Sequence, residues 1–172
     1  MFHRILVGVD DSKAAREALA RAIELVEAGH GRLGLLSSAP AAPPVTSAGP
    51  LVLPVSRDRL EKDLVTWAER NVEEAARLVP EDIPITKLVT RGRPGAALLK
   101  EARTGRWDLV VVGQSHRRRR LLESVGERLN RRSGVPVLVV HEDRSELQRG
   151  RRAGLLPQPR RRRRRRAQPT VA

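Results

Sequence analysis

The sequence predicts an α/β domain: a doubly wound, parallel sheet of five strands with helices on both faces. Three observations carry that reading. Short, mainly apolar runs recur at residues 4–9, 33–36, 85–89, 109–112 and 136–140, and the one at 109–112 has no polar alternation, the pattern of a strand buried on both faces. Segments of helical periodicity separate these runs, and strands alternating with helices imply a parallel sheet covered on both sides. Right-handed crossovers then restrict the topology to a doubly wound arrangement.

Each element has a local reason. The first strand ends at Asp10-Asp11-Ser12, and any of the three side chains can cap the helix that follows by accepting from an orphan backbone N–H. Ala15, Ala18, Leu19, Ala22, Ile23 and Val26 fall on one face of that helix. Gly29 and Gly31 are expected to end it, because glycine takes up left-handed conformations cheaply. From Ala39 to Pro54 the chain carries proline, alanine and serine with no charge and no period, and reads as a long loop. Ser56 is placed to cap a second helix whose stripe runs through Leu60, Leu64, Trp67, Ala68, Val72, Ala75, Ala76 and Val79, before Pro80 stops it. Arg91-Gly92-Arg93-Pro94 turns the chain after the third strand, and Pro94 suits the first turn of a helix through Ala102. The fourth strand is followed by Gly113, read as a sharp exit, and then by four arginines from Arg117 to Arg120. Leu121, Leu122, Val125 and Leu129 give a short helical pattern that leads to Gly134 and the last strand.

Composition narrows the function classes. The chain has 172 residues, so one domain with an appendage is expected. Its core must be aliphatic, since aromatic residues make up only 2%. With no cysteine, disulfides and thiolate metal sites are excluded, which fits a cytoplasmic protein. No apolar stretch approaches the roughly 20 residues needed to span a bilayer, and the N-terminus lacks a signal-peptide cleavage pattern. The net charge of +14 is unevenly spread: residues 143–172 carry 11 Arg against Asp143 and Glu146, net +9. Within the remainder, residues 117–132 hold seven Arg against Glu123 and Glu127, net +5, and the rest is balanced. The expected division is therefore a folded domain over residues 2–141 and a basic tail over 142–172. Seven consecutive arginines, Arg160 to Arg166, repel one another and cannot bury surface, so disorder is the expectation for the tail.

Four segments together, ILVGVDDS, RGRPGAALLKEA, DLVVVGQSH and ESVGERL with PVLVV, resemble the universal stress protein family over nearly the whole of residues 2–141. The resemblance implies strand order 3-2-1-4-5 in the adenine nucleotide alpha-hydrolase-like fold. It also implies a homodimer formed through the last strand, here from Val135 to Val140. In nucleotide-binding members an Asp ends the first strand, and the loop after the fourth reads Gly-x-x-Gly, nine residues, Gly-Ser/Thr. Glycines let backbone N–H groups approach phosphates, and the final pair opens a helix whose positive end favours an anion.

This chain matches in part. Asp10 stands at the family's Asp, although the following residue is Asp11 where glycine is usual. Gly113 corresponds to the first loop glycine. Aligned backward from the last strand, Ser124-Val125 match the family's Ser-Val, the preceding glycine is Glu123, and the loop is about three residues short. It lacks its second glycine and has gained Arg117 to Arg120. A literal count instead puts His116 at the second glycine, Gly126 at the third and Glu127 at the hydroxyl position. By resemblance, the candidate ATP contacts are Asp10, Ser12, Gly113, Ser115, Arg117, Ser124 and Val125.

Two readings of the loop compete. Arginines replace backbone donors and hold phosphate by charge, or Glu123 puts its own carboxylate at the helix start and repels nucleotide. The second is preferred, because lost glycines cost close approach and added charge does not restore it. Asp10 is either an adenosine contact or a cap, and one residue can do both. The four histidines lack ligand spacing, so no metal site is expected. No Ser/His/Asp set or carboxylate pair converges in a motif, and slow ATP hydrolysis is the one enzymatic reading left. The tail supports at most sequence-independent, salt-sensitive polyanion binding through Arg160 to Arg166, since it has no aromatic residue to stack bases.

Overall fold

A computed structural model describes residues 1–41, 57–114 and 125–141. Among them the elements run β1 (Arg4–Gly8), α1 (Lys13–Gly29), β2 (Arg32–Ala39), α2 (Arg57–Arg77), β3 (Ile85–Arg91), α3 (Pro94–Ala102), β4 (Leu109–Gln114), α4 (Val125–Arg132) and β5 (Val137–His141). The five strands form one sheet of order β3-β2-β1-β4-β5 with every neighbouring pair parallel. This is the doubly wound order that the resemblance implies.

Alternation along the strands sorts the side chains onto two cores. Ile5, Val7, Leu33, Leu35, Leu109 and Val111 face α1 and α2, where they meet Ala18, Leu19, Val26 and Val72. Leu6, Leu36, Val110 and Val112 face α3 and α4, where they meet Leu98, Ala102, Trp107 and Leu129. β1 is buried on both faces, with Ile5, Leu6 and Val7 fully enclosed. That is why its sequence shows no polar alternation.

Several elements differ from their sequence reading. β2 and β3 outrun their aliphatic stretches, because the ladder continues through Ser37↔Val89, Ser38↔Thr90 and Ala39↔Arg91. β1 stops at Gly8, although Val9 N–H still donates to the Leu36 carbonyl at 2.9 Å. β5 begins at Val137, after Pro136, which has no N–H to give the ladder and only accepts from Val110. Gly113 lies inside β4, paired with Val140, and is not an exit turn. Nor do Gly29 and Gly31 supply the left-handed end of α1; His30 does, at φ 50°. Those two glycines are needed for closeness: a Cβ on Gly29 would stand 2.6 Å from the Phe2 carbonyl, and one on Gly31 would overlap the His3 carbonyl. The turn conformation falls to the exposed His30 between them. α2 ends at Arg77, so Val79 lies beyond the helix, yet it is buried. Ser56 and most of the predicted loop from Ala39 to Pro54 lie outside the described residues, and Ala39 itself belongs to β2.

At the opposite end of the sheet from the loop side, Asp108 ties β1 to β4. Its Oδ2 accepts from the backbone N–H of His3 and Arg4 at 3.2 and 3.0 Å, and its Oδ1 accepts from Arg4 Nε at 3.1 Å and from Nη2. Hydrogen bonds from the Arg4 guanidinium hold the Asp108 carboxyl below the ordinary carboxylate range, assisted by the backbone N–H of His3. A carboxyl whose pKa is lowered by folding adds stability above its unfolded value of about 3.9, and loses it as pH falls through the folded value. Asp108→Asn should therefore melt a few degrees below the native chain at neutral pH, and the gap should close in melts below about pH 4. A gap that stays constant with pH would assign the effect to shape alone.

Candidate functional site

In open α/β sheets the ligand crevice opens outside the carboxyl ends of the strands, where neighbouring connections diverge. Here that switch point lies between β1 and β4. A cavity of about 120 Å³ occupies it. Gly8, Val9 and Asp10 come from the end of β1, Leu36, Ser37 and Ser38 from β2, and Val112 and Gly113 from β4. Trp67 of α2, Pro94 and Leu98 of α3, Val125 of α4 and Ala15 of α1 close its sides. A larger cavity of about 340 Å³ lies at the ends of β2 and β3, lined by Arg57, Glu61, Arg91 and Gly92 among others. Topology selects the smaller one, since the larger sits beside the switch point and not in it.

The turn from β1 into α1 is built by two side chains. Ser12 is the N-cap, its Oγ accepting from Ala15 N–H at 3.1 Å. Asp10 stands one step upstream and accepts from Ser12 N–H through Oδ1 at 2.9 Å. The helix cap is thus Ser12, and Asp10 braces the residue that caps. Among the described residues its Oδ2 has no hydrogen-bond partner, so the exposed carboxylate at the cavity rim can accept from a ligand hydroxyl. Asp11 is exposed beside it. The Asp10 carboxylate at this mouth opposes an anion, whatever the positive end of α1 contributes.

Gly113 serves the same turn by being small. A Cβ there would overlap the Ala14 carbonyl and stand 2.6 Å from Ala15 N. The first turn of α1 can therefore lie against β4 only over a glycine. Deeper in, Ser38 Oγ donates to the Gly92 carbonyl at 2.9 Å, which fixes the β3–α3 connection to the end of β2. Asn71 Nδ2 reaches Ser37 Oγ at 3.5 Å from α2.

The structure brings Asp10, Gly113 and Val125 together at one cavity, with Ser12 supporting its rim. Ser115, Arg117, Glu123 and Ser124, with the rest of the arginine run, lie outside the described residues. Under the literal count, Gly126 and Glu127 would belong to the loop; they are instead the second and third residues of α4. Gly126 is buried where a Cβ would overlap Val139 of β5, so packing accounts for it. Sequence reasoning missed Ser37, Ser38, Pro94 and Leu98 as cavity walls. The adjacent serines ending an aliphatic run were the available signal. Among the described residues, no group of three His, Asp or Glu could hold a metal ion, and no helix is long and apolar enough to cross a membrane.

Comparison with known proteins gives a consistent picture. A family model described as the universal stress protein family matches residues 1–141. The chain is similar to the universal stress protein YxiE of Bacillus subtilis, 27% identical over 150 residues, covering 81% of this chain and 99% of that protein. Among solved structures, a universal stress family protein from Burkholderia pseudomallei superposes with a TM-score of 0.62 at 25% identity, covering 80% of this chain and 94% of its own. A universal stress protein in complex with cAMP gives a TM-score of 0.51 at 25% identity, covering 83% and 99%.

Proposed function

Because this chain belongs to the universal stress protein family, we propose that it is a homodimeric regulatory or protective domain whose adenine-nucleotide site is reduced, binding ATP weakly or not at all. The carrying observation is the switch-point cavity. At about 120 Å³ it is well below the ~300–1,000 Å³ of pockets that enclose small-molecule ligands. The residues that remain fit the nucleoside end better than the phosphate end. Asp10 offers a free acceptor at the mouth, and apolar walls come from Val9, Leu36 and Val112. The sequence of the following loop supports the same reading, with Glu123 in place of a phosphate-loop glycine. A relative solved in complex with cAMP supports adenine nucleotide as the ligand class. Dimerisation is supported by β5, an edge strand whose Leu138 remains 36% exposed, the kind of apolar edge that needs covering.

Calorimetry with ATP on the full chain should give a dissociation constant weaker than about 0.1 mM, or no heat. Sedimentation equilibrium on the same samples should give a dimer. Low-micromolar binding abolished by Asp10→Ala would establish a competent site, using Arg117 to Arg120 for the phosphates. Low-micromolar binding indifferent to Asp10→Ala would place the nucleotide elsewhere on this basic chain.

A further inference from the structure

We propose that the outer surface of α3 and α4 binds the phosphate backbone of a nucleic-acid duplex. The motivating observation is that the fold separates charge between the two faces of the sheet. α3 with its flanking residues, 93–106, carries Arg93, Lys100, Arg103 and Arg106 against Glu101. α4 carries Arg128, Arg131 and Arg132 against Glu127. Seven basic groups against two acidic ones leave this face at +5, and all seven are exposed. The helices on the other face, α1 and α2, hold eight basic and nine acidic groups, net −1. Periodicity cannot show this partition; it follows from which helices pack on which core.

The two basic helices act as one surface. Arg103 Nε donates to the Arg132 carbonyl at 2.9 Å, which holds their C-terminal ends together. The acidic side chain of α3 is turned inward: Glu101 accepts from Trp107 Nε1 and Arg106 Nη2, both at 2.9 Å, and only 16% of its side chain is exposed. Helix stability accounts for part of the pattern, since cations favour helix C-termini. It does not account for Arg93, which precedes α3 at its positive end. Basic groups thus extend along the whole of α3, roughly 14 Å by helical rise, about four base-pair steps of a duplex.

The chemistry selects the partner. Guanidinium groups match phosphate oxygens bidentately, and six of the seven cations are arginine. Unpaired bases need exposed aromatic platforms, and Trp107, the aromatic residue of this face, is buried. Membrane insertion needs apolar side chains among the cations. Of the large exposed hydrophobic residues, Val125 alone lies on these two helices.

The test uses the full chain and a 20-base-pair DNA duplex of arbitrary sequence, titrated across a salt series. One variant neutralises the proposed face: Arg93→Gln, Lys100→Gln, Arg128→Gln and Arg131→Gln. A control removes equal charge from α2: Arg59→Gln, Lys62→Gln, Arg70→Gln and Arg77→Gln. A third replaces Arg160 to Arg166 with Gln. All substituted groups on the two helical faces are exposed, and melting curves verify that the variants fold. The first variant should weaken binding about tenfold or more at 0.1 M salt, and flatten the salt slope by about 0.9 for each phosphate no longer neutralised. The control should stay within about twofold of the native chain. Equal losses in both would reduce the effect to net charge and overturn the proposal. It also fails if only the tail variant loses binding, or if the native chain retains no duplex. Tighter binding to phosphatidylserine vesicles with the same variant dependence would make the partner a lipid surface, which overturns it too.

Discussion

Replacing Trp107 with alanine should destabilise the domain by about 3–5 kcal/mol, the largest effect expected of any single substitution described. Trp107 is 5% exposed in a core that is otherwise almost entirely aliphatic. Its ring lies directly on Gly34 of β2, so closely that a Cβ on Gly34 would overlap it. Its Nε1 donates to Glu101 at 2.9 Å. Alanine would leave a ring-sized void between α3 and the sheet and strip Glu101 of a donor. At roughly 2–4 °C per kcal/mol for a domain of this size, the melting temperature should fall by about 6–20 °C. The pairing with Gly34 has its own test. Gly34→Val in the native background should destabilise by overpacking, whereas in the Trp107→Ala background it should refill the void. A double-mutant cycle by urea unfolding should give a favourable coupling of about 1 kcal/mol or more. Additive losses would mean that the ring and the glycine do not depend on each other.

Gly113→Ala should cost about 3 kcal/mol, at the upper end of overpacking effects. The obstacle is backbone: the Ala14 carbonyl and Ala15 N of the first turn of α1. Neither can step aside as a flexible side chain would without displacing the turn that Ser12 caps and Asp10 braces. Gly92 is the comparison. It has φ +109° with open space around it, so alanine there meets only the conformational cost of a positive φ, about 1–2 kcal/mol. Urea unfolding should rank Gly113→Ala as the more damaging of the two. The opposite order would restore Gly113 to a turn role and sink the packing account.

Much of the fold is legible in the sequence because burial on both faces leaves a local trace. The aliphatic runs, the face of α1 and Pro94 opening α3 all reflect residues a few positions apart. What stays hidden depends on groups far apart in sequence. Gly113 reads as a turn until α1 is seen lying on it, and Gly29 and Gly31 read as helix stops until Phe2 and His3, just before β1, are seen beside them. Asp108 looks like no more than the residue before a strand, because its partner Arg4 is 104 positions away. The candidate site is half legible. Asp10 and Gly113 mark strand ends, which sequence shows, but the walls from Leu36 to Ser38 and from Pro94 to Leu98 are assembled by sheet order. The charge on the α3/α4 face is invisible for the same reason, since its two stretches are separated by β4.

The strand order has a consequence for how the chain is made. β1 pairs with β2 on one side and with β4 on the other. During synthesis β2 is available early, but residues 40–108 must be added before β4 exists. At about 5–20 residues per second that interval lasts roughly 3–14 s. Until then the second side of β1 has none of its native ladder. The strand at the centre of the finished sheet is an open edge on one side until β4 has been translated.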